Sequence, residues 1–290
     1  MSTAKQDRRN SSPCDDRGSS PEIRKAVILA RGLGKRMRSP DATARLAADQ
    51  MQAADAGMKA MIPVGRPLLD YVLSALADAG FRQVCLVVGP EHTAIREYYQ
   101  TISSQRIEIS FAIQEKPLGT ADALLTAEQF AEREEFLVLN SDNYYPVAVF
   151  RALRTLGEPG LPAFERDTLV RESEIPRERV LRYALLQINA EGYLEKIIEK
   201  PDTMPEAAGD GEVFISMNCW RFNAEIFRAC ERVALSARGE YELPEAVQLG
   251  LSSLGLRLKA IPFYTGVLDL SHRSDIAQVA RRLAGVEVKL

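Results

Sequence analysis

Gly32-Leu33-Gly34-Lys35-Arg36-Met37-Arg38 brings two glycines and three cations into seven residues, a composition suited to holding a multiply charged anion. Glycine lets the backbone approach a ligand closely, and nested backbone N–H groups bind anions. An arginine beside them adds a two-pronged clamp for phosphate. Two familiar phosphate loops do not account for the stretch. The P-loop needs a glycine where this chain has Leu29, and the dinucleotide fingerprint needs a third glycine where it has Met37. The only histidines, His92 and His272, stand outside any nucleophile-like setting and are expected to be surface or incidental residues. Covalent histidine catalysis is therefore not expected.

The elements that must position the loop follow from periodicity. The apolar run 26–30, with β-branched members, has the pattern of a strand buried on both faces. Similar runs at 84–88 and 136–139, and an alternating stretch at 107–113, predict three more strands. Helical spacing predicts a helix over 67–79, stopped by Gly80, with shorter helices over 93–100 and 121–132. Residues 41–58 are Ala-rich and read as a helical excursion or a flap over the loop; an apolar segment then returns with Lys59. This alternation predicts an α/β fold, a doubly wound and mostly parallel sheet in an α/β/α sandwich. Ligands of such sheets lie at the carboxyl ends of the strands. The Gly32–Gly34 loop, the loop from Gln114 to Gly119, and Asp142 all follow apolar strands, so one crevice should gather them.

The second half is less regular. Strands over 180–188 and 193–198 flank the turn Asn189-Ala190-Glu191-Gly192, and a strand over 212–222 carries Asn218. Helices are expected over 224–234 and 242–249 and strands over 256–262 and 266–270, with Ser274 capping a last helix that runs to 283.

With a net charge of −3, the 290-residue chain lacks the basic footprint of a nucleic-acid or anionic-membrane binder, so the cations around Arg36 must act locally. No apolar run approaches the roughly 18 residues of a membrane span, and no apolar signal core opens the chain. The four cysteines show no metal-ligand spacing, and Cys85, Cys219 and Cys230 read as reduced core residues of a cytoplasmic protein. Residues 1–22, polar and charged, are expected to be a disordered leader.

Taken together, these residues resemble the sugar-phosphate nucleotidyltransferases, the family of the glucose-1-phosphate thymidylyl- and uridylyltransferases. The family's Ile-Leu-Ala-x-Gly-x-Gly-x-Arg-Met run and its later Lys-x-x-x-Pro are matched by Ile28 to Met37 and by Lys59 to Pro63. The resemblance implies one domain over 23–290, with a nucleotide-binding half (23–150) and a small β-rich, sugar-phosphate-binding half (151–290). It implies nucleotide binding by Leu29, Gly32, Gly34, Arg36, Gln114 and Gly119, with Arg36, Lys59 and Asp142 catalytic. Asp142 and Asp269 are the implied Mg²⁺ ligands, and Tyr183, Glu199, Lys200 and Asn218 the implied sugar-phosphate contacts. The implied substrates are a nucleoside triphosphate and a sugar-1-phosphate, giving a nucleotide-sugar and pyrophosphate. Neither nucleic acid nor membrane is a partner; relatives commonly assemble as homo-oligomers. No acyltransferase-like repeat is present, so a second activity of that sort is not expected.

The chain departs from the family pattern in four places. Arg31 stands where relatives have a small residue, and the spacing from Arg36 to Lys59 is long. Ala184 after Tyr183, and Cys219-Trp220 after Asn218, replace glycine and are expected to reshape the sugar end of the site. These departures motivate a second reading, a catalytically silent nucleotide- or nucleotide-sugar-binding regulatory protein. A third, a dinucleotide-dependent oxidoreductase, suffers from the missing glycine at Met37.

Overall fold

The computed structural model describes residues 22–199 and 212–290. Positions 1–21, most of the expected leader, and 200–211, which include Lys200, lie outside the described residues.

Strand β1 (Lys25–Leu29) is buried along its whole length. It pairs in parallel with β2 (Gln83–Val88) on one side and with β4 (Phe136–Asn140) on the other, and β3 (Glu108–Ile113) extends the sheet beyond β2. The alternation of a strand sends Ala26 and Ile28 into one apolar core and Val27 and Leu29 into a second. Both faces are covered, which is why the strand reads as an unbroken apolar run rather than an alternating one. Helix Leu68–Ala79 closes the first face with Leu69, Val72, Leu73 and Leu76. Each such fully buried side chain contributes about 1.5–3 kcal/mol relative to exposure.

The remaining strands are β5 (Asn143–Tyr144), β6 (Gly160–Glu165), β7 (Leu185–Ile188), β8 (Leu194–Ile198), β9 (Phe214–Ile215), β10 (Cys219–Phe222), β11 (Lys259–Phe263) and β12 (Leu268–Asp269). The main sheet runs β3-β2-β1-β4-β10-β6-β9-β7-β8, with β11 beside β6. Direction reverses at β10, antiparallel to β4 with Cys219 opposite Leu139, and among the described residues only the β6–β11 pair is parallel beyond it. The doubly wound parallel core is as expected, and the later strands form the β-rich remainder.

Several local expectations are corrected. The strand expected over 180–188 begins only at Leu185, because Pro176 opens a helical turn, Arg177–Val180. The strand over 212–222 is broken between β9 and β10, where Asn218 takes φ 58°. The helix over 121–132 is split into Thr120–Leu125 and Glu128–Ala131. Ser274 precedes the last helix, Asp275–Leu283, without a capping bond; the Asp275 carboxylate instead accepts the backbone N–H groups of Ser271 and His272. His92 is buried, not on the surface, and its Nδ1 accepts the Gly89 N–H at 3.3 Å. Cys219 and Trp220 pack into opposite cores instead of reaching the sugar end.

Candidate active site

The last sheet bond on β1 is Ala30 N–H to Val87 C=O, after which the chain turns through Arg31 and Gly32 to Gly34. Gly34 has φ 59°, and a Cβ there would lie 2.5 Å from the Gly57 carbonyl oxygen. Only glycine serves at such a contact. Gly57 ends helix Ala48–Ala56, so the long spacing before Lys59 is a helix whose end docks on the glycine turn. Met37, fully buried, anchors the helical turn Lys35–Arg38 and leaves Lys35 and Arg36 exposed. Arg273 donates to the carbonyls of Met37 and Arg38, tying the carboxy-terminal region to this loop.

On the other side of β1 lies an acidic pair. Asp142 follows β4, and the two-residue ladder between β5 and β12 sets Asn143 opposite Asp269. The Leu270 N–H donates to the Asp142 carbonyl at 2.9 Å. Asp269 accepts from Tyr183 Oη at 3.0 Å, Ser271 Oγ at 2.9 Å and Asn143 Nδ2 at 3.2 Å. Burial, and then the neighbouring Asp142 charge, push its carboxyl up to about 6. Burial likewise drives the Tyr183 hydroxyl upward, so it stays protonated and donates to Asp269. Lys59 Nζ sits 2.8 Å from Asp142 Oδ2. Burial works against the Lys59 charge, but Asp142 and Asp269 together outweigh it and hold the amine above its ordinary value. Among the described residues, no cluster of three or more acidic, histidine or cysteine side chains could hold a metal ion. A hard cation between the two carboxylates would complete its oxygen sphere from water or phosphate.

Glycine turn and acidic pair face one cavity of about 470 Å³. Every expected site residue within the described chain lines it: Leu29, Gly32, Gly34 and Arg36; Lys59, Asp142 and Asp269; Gln114 and Gly119; Tyr183, Glu199 and Asn218. Ala184 lines it too. Gln114 is buried, and its amide nitrogen donates to Gly119 C=O at 3.0 Å and to Asp122 Oδ2 at 2.7 Å. Tyr241 holds this loop from outside, its N–H donating to Leu118 and its carbonyl accepting from Ala121.

Other residues were not legible as site residues. Arg179, from the turn before β7, places Nη1 3.0 Å from both Asp275 oxygens and Nη2 3.5 Å from Asp269 Oδ2. It partly compensates the buried carboxylate, and no motif announces it. Asn143, Ser271 and Asp122 act through residues already singled out, one or a few positions along the chain. Arg238 and Glu242, an ion pair lining the cavity, come from a polar segment with no distinguishing pattern.

The family model described as Nucleotidyl transferase matches residues 25–262. The UTP–glucose-1-phosphate uridylyltransferase AglF of Haloferax volcanii is 29% identical over 259 residues, covering 89% of this chain and 96% of that protein. The UTP–glucose-1-phosphate uridylyltransferase of Bacillus subtilis is 25% identical over 255 residues, covering 78% of this chain and 80% of its own length. A solved UDP-glucose pyrophosphorylase complexed with UDP-glucose has the same fold, with a TM-score of 0.69 at 18% identity over 91% of this chain and 100% of the other. Because the match runs from β1 into β11 and takes in the glycine turn, Lys59 and Asp142, this chain belongs to the nucleotidyl transferase family.

Proposed function

We propose that the protein is a Mg²⁺-dependent sugar-1-phosphate nucleotidyltransferase, which joins a nucleoside triphosphate and a sugar-1-phosphate into a nucleotide-sugar and releases pyrophosphate. One observation carries the reading: the cation-flanked glycine turn and the Lys59–Asp142–Asp269 group open into the same cavity. In the reaction an oxygen of the sugar phosphate forms a bond to the α-phosphorus. The bond from that phosphorus to the bridging oxygen breaks, and pyrophosphate leaves with the electron pair. Such transfer depends on positioning and charge neutralisation, not on a protein nucleophile.

The chain's own groups have separate tasks. Leu29, Gly32, Gly34 and Arg36 hold the triphosphate, with Gln114 and Gly119 toward the base. Lys59 offsets charge on the phosphates as the bond breaks. Asp142 and Asp269 would hold Mg²⁺, an ion suited to an all-oxygen pair and able to neutralise phosphate charge. The raised carboxyl of Asp269 fits this assignment, because a cation relieves the repulsion between the two acids. Tyr183, Glu199, Lys200 and Asn218 receive the sugar phosphate. Asn218 in the left-handed region is the kind of backbone that persists when a site fixes it.

The names of the relatives make UTP and glucose 1-phosphate the first pair to assay. No described helix is long and apolar enough to cross a membrane, and three buried cysteines are free. A reducing cytoplasm suits them. Phosphorus NMR of protein, Mg²⁺, UTP and sugar-1-phosphates tests the reading: a new diphosphodiester signal with pyrophosphate is expected. Nucleotide binding without any turnover across a panel of sugar-1-phosphates would instead favour the silent regulatory protein.

A further inference from the structure

Arg31 is only 9% exposed, although it leads into the glycine turn at the cavity wall. Its Nε and Nη2 donate to the two Glu91 oxygens at 3.2 Å each, a parallel fork that uses one edge of the guanidinium. Room for this pair comes from Gly89, where a Cβ would fall onto the Glu91 carboxylate and Arg31 Nε. The planar group then turns Nη1 away from Glu91, and that atom is buried with no hydrogen-bond partner among the described residues. A buried donor without an acceptor is unfavourable, and an incoming acceptor would relieve it.

Its place in the sheet says which part of a ligand would supply that acceptor. Strand order β3-β2-β1-β4 puts Asp142 beyond β1 on one side, and Glu91 and Gln114 beyond β2 and β3 on the other. Three strand spacings, roughly 14 Å, separate the acidic end from the Gln114 end. A triphosphate lying on the glycine turn with its reacting phosphorus near Asp142 therefore directs its base toward Arg31 and Gln114. Glu91 already balances the Arg31 charge, so Arg31 is suited to an uncharged acceptor, whereas Lys35 and Arg36 are exposed for phosphate. Gln114 spends its amide nitrogen on Gly119 and Asp122, which leaves Oε1 to accept.

We infer that Arg31 is a specificity-determining residue that, with Gln114, selects bases carrying a carbonyl beside a ring N–H. One donor and one acceptor match uracil, thymine and guanine. Adenine and cytosine carry the reverse pair, an exocyclic amino donor beside a bare ring nitrogen, so in the same pose each sets donor against Arg31 and acceptor against Gln114 and leaves both buried groups unpaired. Sites that hydrogen-bond a ligand group discriminate strongly against analogues without it. The inference rests on the nucleotidyltransferase reading of the cavity.

Calorimetric titration of wild type, Arg31→Ala and Arg31→Lys with UTP and with ATP, each with Mg²⁺, tests it without relying on turnover. Wild type is expected to bind UTP at least tenfold more tightly than ATP, and that ratio to fall toward one in both variants. Lysine cannot replace the fork, since an ammonium offers no planar pair of donors with a third directed away. Should the alanine variant not fold, the lysine variant carries the comparison. Equal binding of UTP and ATP by wild type, or an unchanged preference in a folded variant, overturns the Arg31 assignment alone. Wild-type protein that binds neither nucleotide overturns the nucleotidyltransferase reading and this inference with it.

Discussion

Lys59 Nζ lies 2.8 Å from Asp142 Oδ2, joining the residue that follows the inserted helix to the carboxylate at the tip of β4. Their side chains are 18% and 19% exposed, so removing either partner leaves a poorly solvated charge. Lys59→Met should therefore act in two directions. Without the amine, the Asp142–Asp269 pair should bind Mg²⁺ several-fold more tightly. Turnover should nevertheless fall about a hundredfold, the scale of losing one charge-stabilising donor. Initial rates of pyrophosphate release across a Mg²⁺ titration separate the effects; unchanged turnover would remove Lys59 from the chemistry.

The raised Asp269 carboxyl gives a signed pH dependence. It titrates at about 6 in the folded chain, against about 3.9 when unfolded. Between those values the folded state holds a proton that the unfolded state has lost. This group therefore removes stability as pH rises from about 4 to 6, and removes no more above that. Other carboxylates pull the opposite way, so the comparison must isolate Asp269. In metal-free buffer, the melting temperature of Asp269→Asn should gain on wild type through this window. Mg²⁺ competes with the same proton, so excess metal should shift the acidic limb of the activity profile to lower pH. A wild type that gains on the variant as pH rises would contradict the account.

The two turn glycines should behave differently. Alanine at position 34 would meet the Gly57 backbone in a left-handed conformation, whereas a Cβ on Gly32 meets nothing within 4 Å. Gly34→Ala should cost about 2 kcal/mol, a fall of roughly 5 °C in melting temperature. Gly32→Ala should melt within about 1 °C of wild type yet bind nucleotide more weakly, because its methyl enters the cavity. Differential scanning fluorimetry, alone and with UTP, checks both. Equal melting temperatures for the two variants would disprove the close approach of Gly34 to Gly57.

Tyr183 offers a milder test. Its hydroxyl is one of three donors to Asp269, so Tyr183→Phe leaves Asn143 and Ser271 in place. The loss of one such bond is worth about 1 kcal/mol. We expect a few-fold rise in the Mg²⁺ concentration needed for half-maximal rate, with the fold unchanged by circular dichroism. No change in Mg²⁺ dependence would place Tyr183 outside the support of Asp269.

How far the sequence reveals the molecule depends on how local each signal is. Strand β1 and its turn are legible because burial on both faces makes an unbroken apolar run, and because glycine is placed by backbone geometry. Strand β6 is not, since Pro162 sits in its middle and proline ordinarily argues against an interior strand. The partnership of Asp142 with Asp269 depends on the two-residue ladder between β5 and β12, too short for any periodicity. Only the family resemblance linked the two. Arg179 reaches Asp269 through tertiary packing alone, and the room for Arg31, where relatives have a small residue, comes from Gly89 and Glu91, distant in sequence.

The account rests on the two facing aspartates, and turnover by their amide variants tests it most directly. Asp142→Asn and Asp269→Asn keep the shape of the site and remove one negative charge each. With saturating UTP, glucose 1-phosphate and Mg²⁺, each should release pyrophosphate at least a thousandfold more slowly than active wild type while melting cooperatively. Near-normal rates in both folded variants would contradict it.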